Sequence, residues 1–158
     1  MTFTIRRAAA ADLPALTMLE QSFPGDRLSR SNFRHLLTRA RADIWVCVAA
    51  GTPVGNAIVL FKKNSLRARL YSLVVAPSER GRGIARALAQ TAEIAAADRG
   101  CNCMHLEVRE DNAVATRLYA KLGYRFAHRV EGFYDDGHDA LRLERTLARN
   151  GERTDRAA

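Results

Sequence analysis

The sequence is short of the features that mark membrane, secreted or metal-binding proteins. Its longest apolar runs, such as residues 44–50, are far too short to cross a bilayer. Residues 1–7 enter an alternating pattern directly, without the long apolar stretch of a secretory leader. A cytoplasmic protein with no membrane partner is therefore expected. Three cysteines (Cys47, Cys101 and Cys103) are an odd number, and none forms a C-x-x-C pair. Cys101 and Cys103 are two apart in a strand-like run and share a face, a poor disulfide framework and an incomplete zinc set. They read as reduced structural thiols. The four histidines, His35, His105, His128 and His138, are dispersed without ligand spacing, so no metal is expected. No serine or cysteine stands in a nucleophile elbow.

Lysine is also scarce: Lys62, Lys63 and Lys121 are the only ones, so the net charge of +8 is almost wholly arginine. The arginines are scattered, which is compositional bias rather than a built patch for nucleic acid. What is present is ordinary globular material, 47% hydrophobic and 27% charged over 158 residues. That suits one compact domain, here 1–147, followed by a polar, aperiodic and frayed tail, 148–158. The state of assembly, monomer or homodimer, is open.

Periodicity predicts the elements in order. Residues 3–7 alternate as a strand. Asp12 can cap a helix through Leu13, Leu16, Leu19 and Glu20, broken at Pro24-Gly25-Asp26, and a second helix from Ser29 or Ser31 turns Phe33, Leu36 and Leu37 inward. Strands follow at 44–50, 54–63 and 66–76. A helix over 83–99 is stopped by Gly100, a strand covers 104–109, and a helix from Asp111-Asn112 ends at Gly123. Strands at 124–130 and 140–147 are separated by the loop 131–139. Meanders joined to crossover helices imply a mixed α/β sheet.

One stretch carries chemistry. The strand bearing Leu73, Val74 and Val75 runs into Arg80-Gly81-Arg82-Gly83, and Ile84-Ala85-Arg86 opens a helix. Such a turn aims several backbone N–H groups at one place, where the helix dipole also favours an anion. Gly81 and Gly83 leave room for a phosphate, and Arg80, Arg82 and Arg86 bring positive charge. A pyrophosphate is the natural guest. The dinucleotide fingerprint lacks its third glycine and its place early in the sheet, and no G-K-[ST] follows. A plain strand-to-helix turn is the other reading.

At these residues the sequence resembles a known family. Arg80-x-x-Gly83-x-Ala85 matches the acetyl-CoA motif of the GNAT N-acetyltransferase superfamily. Leu106-Glu107-Val108-Arg109-x-x-Asn112, Leu118-Tyr119-x-x-Leu122-Gly123-Tyr124, Tyr134-x-Asp136-Gly137-x-Asp139-Ala140 and Leu19-Glu20-x-x-Phe23-Pro24 resemble the bacterial ribosomal-protein alanine N-acetyltransferases, the RimI type. The resemblance spans residues 3–147 in matching order. It implies a mixed, mostly antiparallel sheet of about seven strands with about four helices, and acetyl-CoA as cosubstrate.

The resemblance also assigns roles. Pantetheine would lie beside the splayed strand of Leu73, Val74 and Val75, with an N–H near Val75 on the thioester carbonyl. The amides from Gly81 to Arg86 would hold the pyrophosphate. Asn112 would bond the cofactor arm, cap its helix, or both. Glu107 would be the general base, since an amine attacks only when neutral; read alone, it is a strand carboxylate facing solvent beside Arg109. Tyr119 would be the general acid for the leaving thiolate; by periodicity it packs with Leu118 and Leu122. Phe133-Tyr134, in the loop 131–139, would close over a peptide end, or form an ordinary acidic turn.

The acceptor stays open among three readings. A terminal amine of pKa about 8 is roughly a tenth neutral at pH 7, whereas lysine near 10.4 is neutral at about the 0.04% level, which favours a protein N-terminus. A small amine such as a polyamine, amino acid or aminoglycoside is the second. The third, from the charge alone, is a non-catalytic module that binds nucleic acid.

Overall fold

The computed structural model describes residues 2–21, 30–38 and 41–148, with the side chains of 30–33 excepted. The expected break at Pro24-Gly25-Asp26, the Phe23-Pro24 motif, the inward Phe33 side chain and the tail 149–158 lie outside what is described. The elements run β1 (Thr4–Arg7), α1 (Leu13–Gln21), α2 (Arg30–Thr38), β2 (Ala42–Ala49), β3 (Thr52–Phe61), β4 (Arg67–Val75), α3 (Ile84–Asp98), β5 (Cys103–Arg109), α4 (Ala113–Lys121), β6 (Arg125–Val130) and β7 (Ala140–Thr146). This is the order that periodicity predicts, with seven strands and four helices among the described residues. The strands hydrogen-bond in the order β1-β2-β3-β4-β5-β7-β6. The β4–β5 pairing is parallel, while β1–β2, β2–β3, β5–β7 and β6–β7 are antiparallel.

The chain divides into two compact units, Met1–Lys63 with Leu70–Glu93, and Asn64–Arg69 with Ile94–Ala158. In the first unit, leucines three apart on α1 (Leu13, Leu16, Leu19) bury against Ile44 and Val46 of β2, Ile58 of β3, Val74 of β4 and Leu36 of α2. Asp12 does not cap α1 as expected. Its carboxylate turns back to accept from the Ala9 N–H at 2.7 Å and from both terminal nitrogens of Arg6, closing the short turn Ala10–Asp12.

The start of α3 lies against the sheet because of one residue. A Cβ on Gly55 of β3 would come within 2.9 Å of the Val74 carbonyl oxygen, 3.2 Å of Leu88 and 3.4 Å of Ile84. Gly55 thus lets the first turns of α3, with Ile84 and Leu88 fully buried, approach β3 and β4. Gly55→Ala should lower stability by about 1–3 kcal/mol in urea denaturation, because the nearest clash is with backbone that cannot swing aside. An unchanged midpoint would show that α3 lifts without cost.

In the second unit, β5 alternates buried Met104, Leu106 and Val108 with partly exposed Cys103, His105, Glu107 and Arg109. Register places Leu106 opposite Leu143 and Glu107 opposite Arg142 on β7, so the apolar and polar residues occupy opposite faces. The three thiols are free, and burial pushes all of them above the usual range, which makes them poor nucleophiles. Among the described residues no helix is long and apolar enough to cross a membrane, and no group of three or more acidic, histidine or cysteine side chains could hold a metal.

Candidate active site

In the first unit, β4 leads through the short turn Pro77–Glu79 to Gly81 and Gly83, both left-handed at φ 81° and 79°. An L-residue with a side chain resists that conformation, and the space a Cβ would fill is open at both positions. The first bond of the α3 ladder runs from the Ala87 N–H to the Gly83 carbonyl at 3.0 Å. The N–H groups of Ile84, Ala85 and Arg86 therefore precede the ladder, at the positive end of a 15-residue helix. Arg82 departs from the expectation of a side chain offered to an anion, since its Nη1 is paired with Glu79. Its Nη2 is buried with no hydrogen-bond partner among the described residues, a donor that suits an anionic oxygen. Open glycines, N–H groups ahead of the ladder and an orphaned guanidinium nitrogen together fit a diphosphate.

In the second unit, Glu107 is held from three sides. Its Oε1 lies 2.7 Å from Arg69 Nε, and its Oε2 lies 3.0 Å from Arg142 Nε and 3.3 Å from His105 Nδ1. The Glu107 side chain is 3% exposed, the partial exposure of the residue being that of its main chain, against 36% and 30% for the two arginine side chains. Burial alone would raise its pKa, but the His105 contact, Arg69 and Arg142 overcome this and bring it down to about 2. The expected neighbour Arg109 points elsewhere, to Asp136 at 2.7 Å and Asp111 at 3.3 Å.

Tyr119, on α4, packs edge-on against Tyr124 with centroids 5.8 Å apart. Burial of its phenol, with Tyr134 adding to the effect, pushes its pKa up to about 12. The loop carrying Phe133 and Tyr134 is pinned rather than loose. Arg109 lies 5.0 Å from the Tyr134 ring while gripping Asp136, and Asp139 accepts from the Gly132 N–H at 2.9 Å. Arg129 joins Glu110 to Asp139. Asn112 caps α4, its Oδ1 accepting from the Ala115 N–H at 3.0 Å.

The profile of the Acetyltransferase (GNAT) family matches residues 11–124. The chain belongs to the GNAT acetyltransferase family. Within it, the chain is 33% identical over 138 residues to streptothricin acetyltransferase of Streptomyces lavendulae, covering 84% of this chain and 73% of that one. It is 38% identical over 82 residues to the N-alpha-acetyltransferase MAK3 of Arabidopsis thaliana, covering 52% of this chain and 43% of that relative. The matched part thus spans about half the length of the first curated relatives. Among solved structures, the ribosomal-protein-S18-alanine N-acetyltransferase of Escherichia coli superposes with a TM-score of 0.82 at 28% identity, covering 96% of this chain and 97% of that one.

Strand, glycines and helix in succession led to the glycine turn, but Arg69, Arg142 and His105 had no signal of their own. They meet Glu107 through cross-strand register and alternation within β5, and register is a long-range property. Glu20 carries a signal in the sequence, a carboxylate at i+7 from Leu13 in the apolar stripe of α1, and the structure leaves it 6% exposed.

Proposed function

We propose that this chain is an acetyl-CoA-dependent N-acetyltransferase whose acceptor is the α-amine at a protein N-terminus. The observation that carries the acetyl-transfer reading is the pair of left-handed glycines ahead of α3. When bound, acetyl-CoA supplies the acetyl thioester. Gly81 to Arg86 hold the diphosphate by their N–H groups, and the main chain of Leu73, Val74 and Val75 lines the acetyl arm. Asn112 steadies the arm with the part of its amide not used in the cap.

Glu107 assists as a fixed negative charge. A carboxyl at about 2 is a poor acceptor for the proton of an ammonium near pKa 8, an uphill transfer of about 8 kcal/mol, directly or through water, so it acts by attraction and keeps its charge. Tyr119 at about 12 keeps its proton and donates a hydrogen bond to the leaving thiolate. Phe133 and Tyr134, on their pinned loop, contact the acceptor backbone. Tyr119→Phe should retain the fold and acetyl-CoA affinity while lowering kcat about 10- to 100-fold. Wild-type turnover would assign Tyr119 to packing against Tyr124.

The α-amine reading draws support from the likeness to the S18-alanine enzyme over nearly the whole chain. The match to streptothricin acetyltransferase favours a second reading, a small cationic amine. A thiol-release screen decides between them, with peptides of varied first residue set beside spermidine, free amino acids and an aminoglycoside. Turnover confined to the small amines would overturn the N-terminal reading.

A further inference from the structure

The core of the first unit contains polar groups that its packing does not require. Glu20, the penultimate residue of α1, is 6% exposed, and its Oε1 accepts from the Ser72 hydroxyl of β4 at 2.8 Å. Among the described residues that neutral hydroxyl is its hydrogen-bond partner, and no cation offsets the cost of burying the carboxyl. Asn56 of β3 is wholly buried, and both polar atoms of its side chain lack hydrogen-bond partners among the described residues. Register places Asn56 opposite Val46 and Ile58 opposite Ile44, so Asn56 shares the sheet face that α1 covers. On β4, Ser72 and Val74 alternate onto one face, and Val74 belongs to the same core cluster.

Leucine or methionine at position 20 and leucine at 56 would pack this core better. A buried carboxyl with one neutral partner and a buried amide with none mark a site rather than a scaffold. Ser72 also directly precedes Leu73, Val74 and Val75, the main-chain stretch assigned above to the acetyl arm. We propose that Glu20, with Ser72 and Asn56, forms the subsite for the acceptor amine, and that Glu20 takes the proton of the incoming ammonium. This rests on the acetyl-transfer reading.

The ammonium gives one proton to the Glu20 carboxylate and becomes a neutral amine. The amine forms the C–N bond to the acetyl carbon as the C–S bond breaks. The second nitrogen proton goes to the departing sulfur, and Glu20 returns its proton to water. Asn56 Oδ1 accepts from the amine N–H. Burial raises the Glu20 pKa, and the Ser72 hydrogen bond works against that rise. Proton acceptance improves as the carboxyl approaches the amine in pKa, which gives Glu20 the advantage that Glu107 lacks.

Among the described residues few other charges bear on Glu20. Asp12, before α1, is taken by Arg6, while Arg34 and His35 on α2 are exposed. β3 carries no titratable side chain, and on β4 Arg67, Arg69 and Tyr71 alternate onto the face opposite Ser72.

The test is kcat/KM against pH, from about 5.5 to 9, for wild type, Glu20→Gln and Ser72→Ala. The probes are the peptides and small amines of the screen above, with acetyl-CoA affinity by calorimetry as the control for folding. Glu20→Gln should lower kcat/KM for the acceptor at least about tenfold and erase the acidic limb, with acetyl-CoA affinity unchanged. Ser72→Ala removes the bond that lowers the Glu20 pKa, so its acidic limb should move to higher pH; a merely structural pair would leave the limb in place. Wild-type kcat/KM and limb in Glu20→Gln would overturn this proposal alone. If Glu20→Gln fails to fold, an unmoved limb in Ser72→Ala overturns it instead. Wild-type protein that acetylates neither panel overturns this proposal and the reading beneath it together.

Discussion

Replacing Gly81 and Gly83 together by alanine should weaken acetyl-CoA binding by about a hundredfold or more, read by titration calorimetry. Each glycine sits near φ +80°, where an L-residue is disfavoured by about 1–2 kcal/mol. The turn relieves that strain by rotating its peptides, which swings the N–H groups ahead of α3 away from their common focus. About 3 kcal/mol of lost or misdirected contact is a factor of about a hundred in Kd. Among the described residues nothing stands within 4 Å of where either new methyl group would lie, so the core packing survives and the loss is specific to the ligand. A dissociation constant within about threefold of wild type would remove this turn from cofactor binding.

The second large effect concerns Glu107→Gln. Its folded pKa of about 2 lies below the ordinary 4.5, so its contribution to stability is complete above about pH 4.5 and fades as pH falls toward 2. A depression of that size is worth about 3 kcal/mol, and the partial exposure of both arginine partners trims it to about 2. Glu107→Gln should therefore lose about 2 kcal/mol at neutral pH in urea denaturation. The gap to wild type should close in acid, because the wild-type protein loses the same term there. In catalysis the carboxylate is ionised throughout the working range. Its removal should lower kcat/KM by a near-constant factor of about 10–100 from pH 6 to pH 9. A loss that grows steeply toward acid would return Glu107 to the role of titrating base.

The element order was legible because each element carries its own period. The alternation of 104–108 and the leucine spacing of α1 need no knowledge of distant residues. The turn at Gly81 and Gly83 was legible for the same reason: strand, glycines and helix are contiguous. What surrounds Glu107 was not. Arg69 and Arg142 stand 38 and 35 positions away in the chain, and only sheet register brings them to the carboxylate. Arg109, the sequence neighbour beside which Glu107 would face solvent when read alone, is held instead by Asp136 and Asp111. Asn112 was legible both as a cap and as a motif residue; the structure displays the cap. Asp12 shows the opposite case, a residue type suited to capping α1 that turns to Arg6 and Ala9 instead.

A grip made of peptide N–H groups has an evolutionary side. Point mutation exchanges side chains but, proline aside, cannot delete an amide proton. Positions 85 and 86 are thus able to drift while the donors they carry persist, whereas Ile84 is held by its burial and the two glycines by their conformation. Lineages sharing this turn can diverge until little but two glycines and a spacing remain, with the set of donors proposed to hold the diphosphate passed on intact.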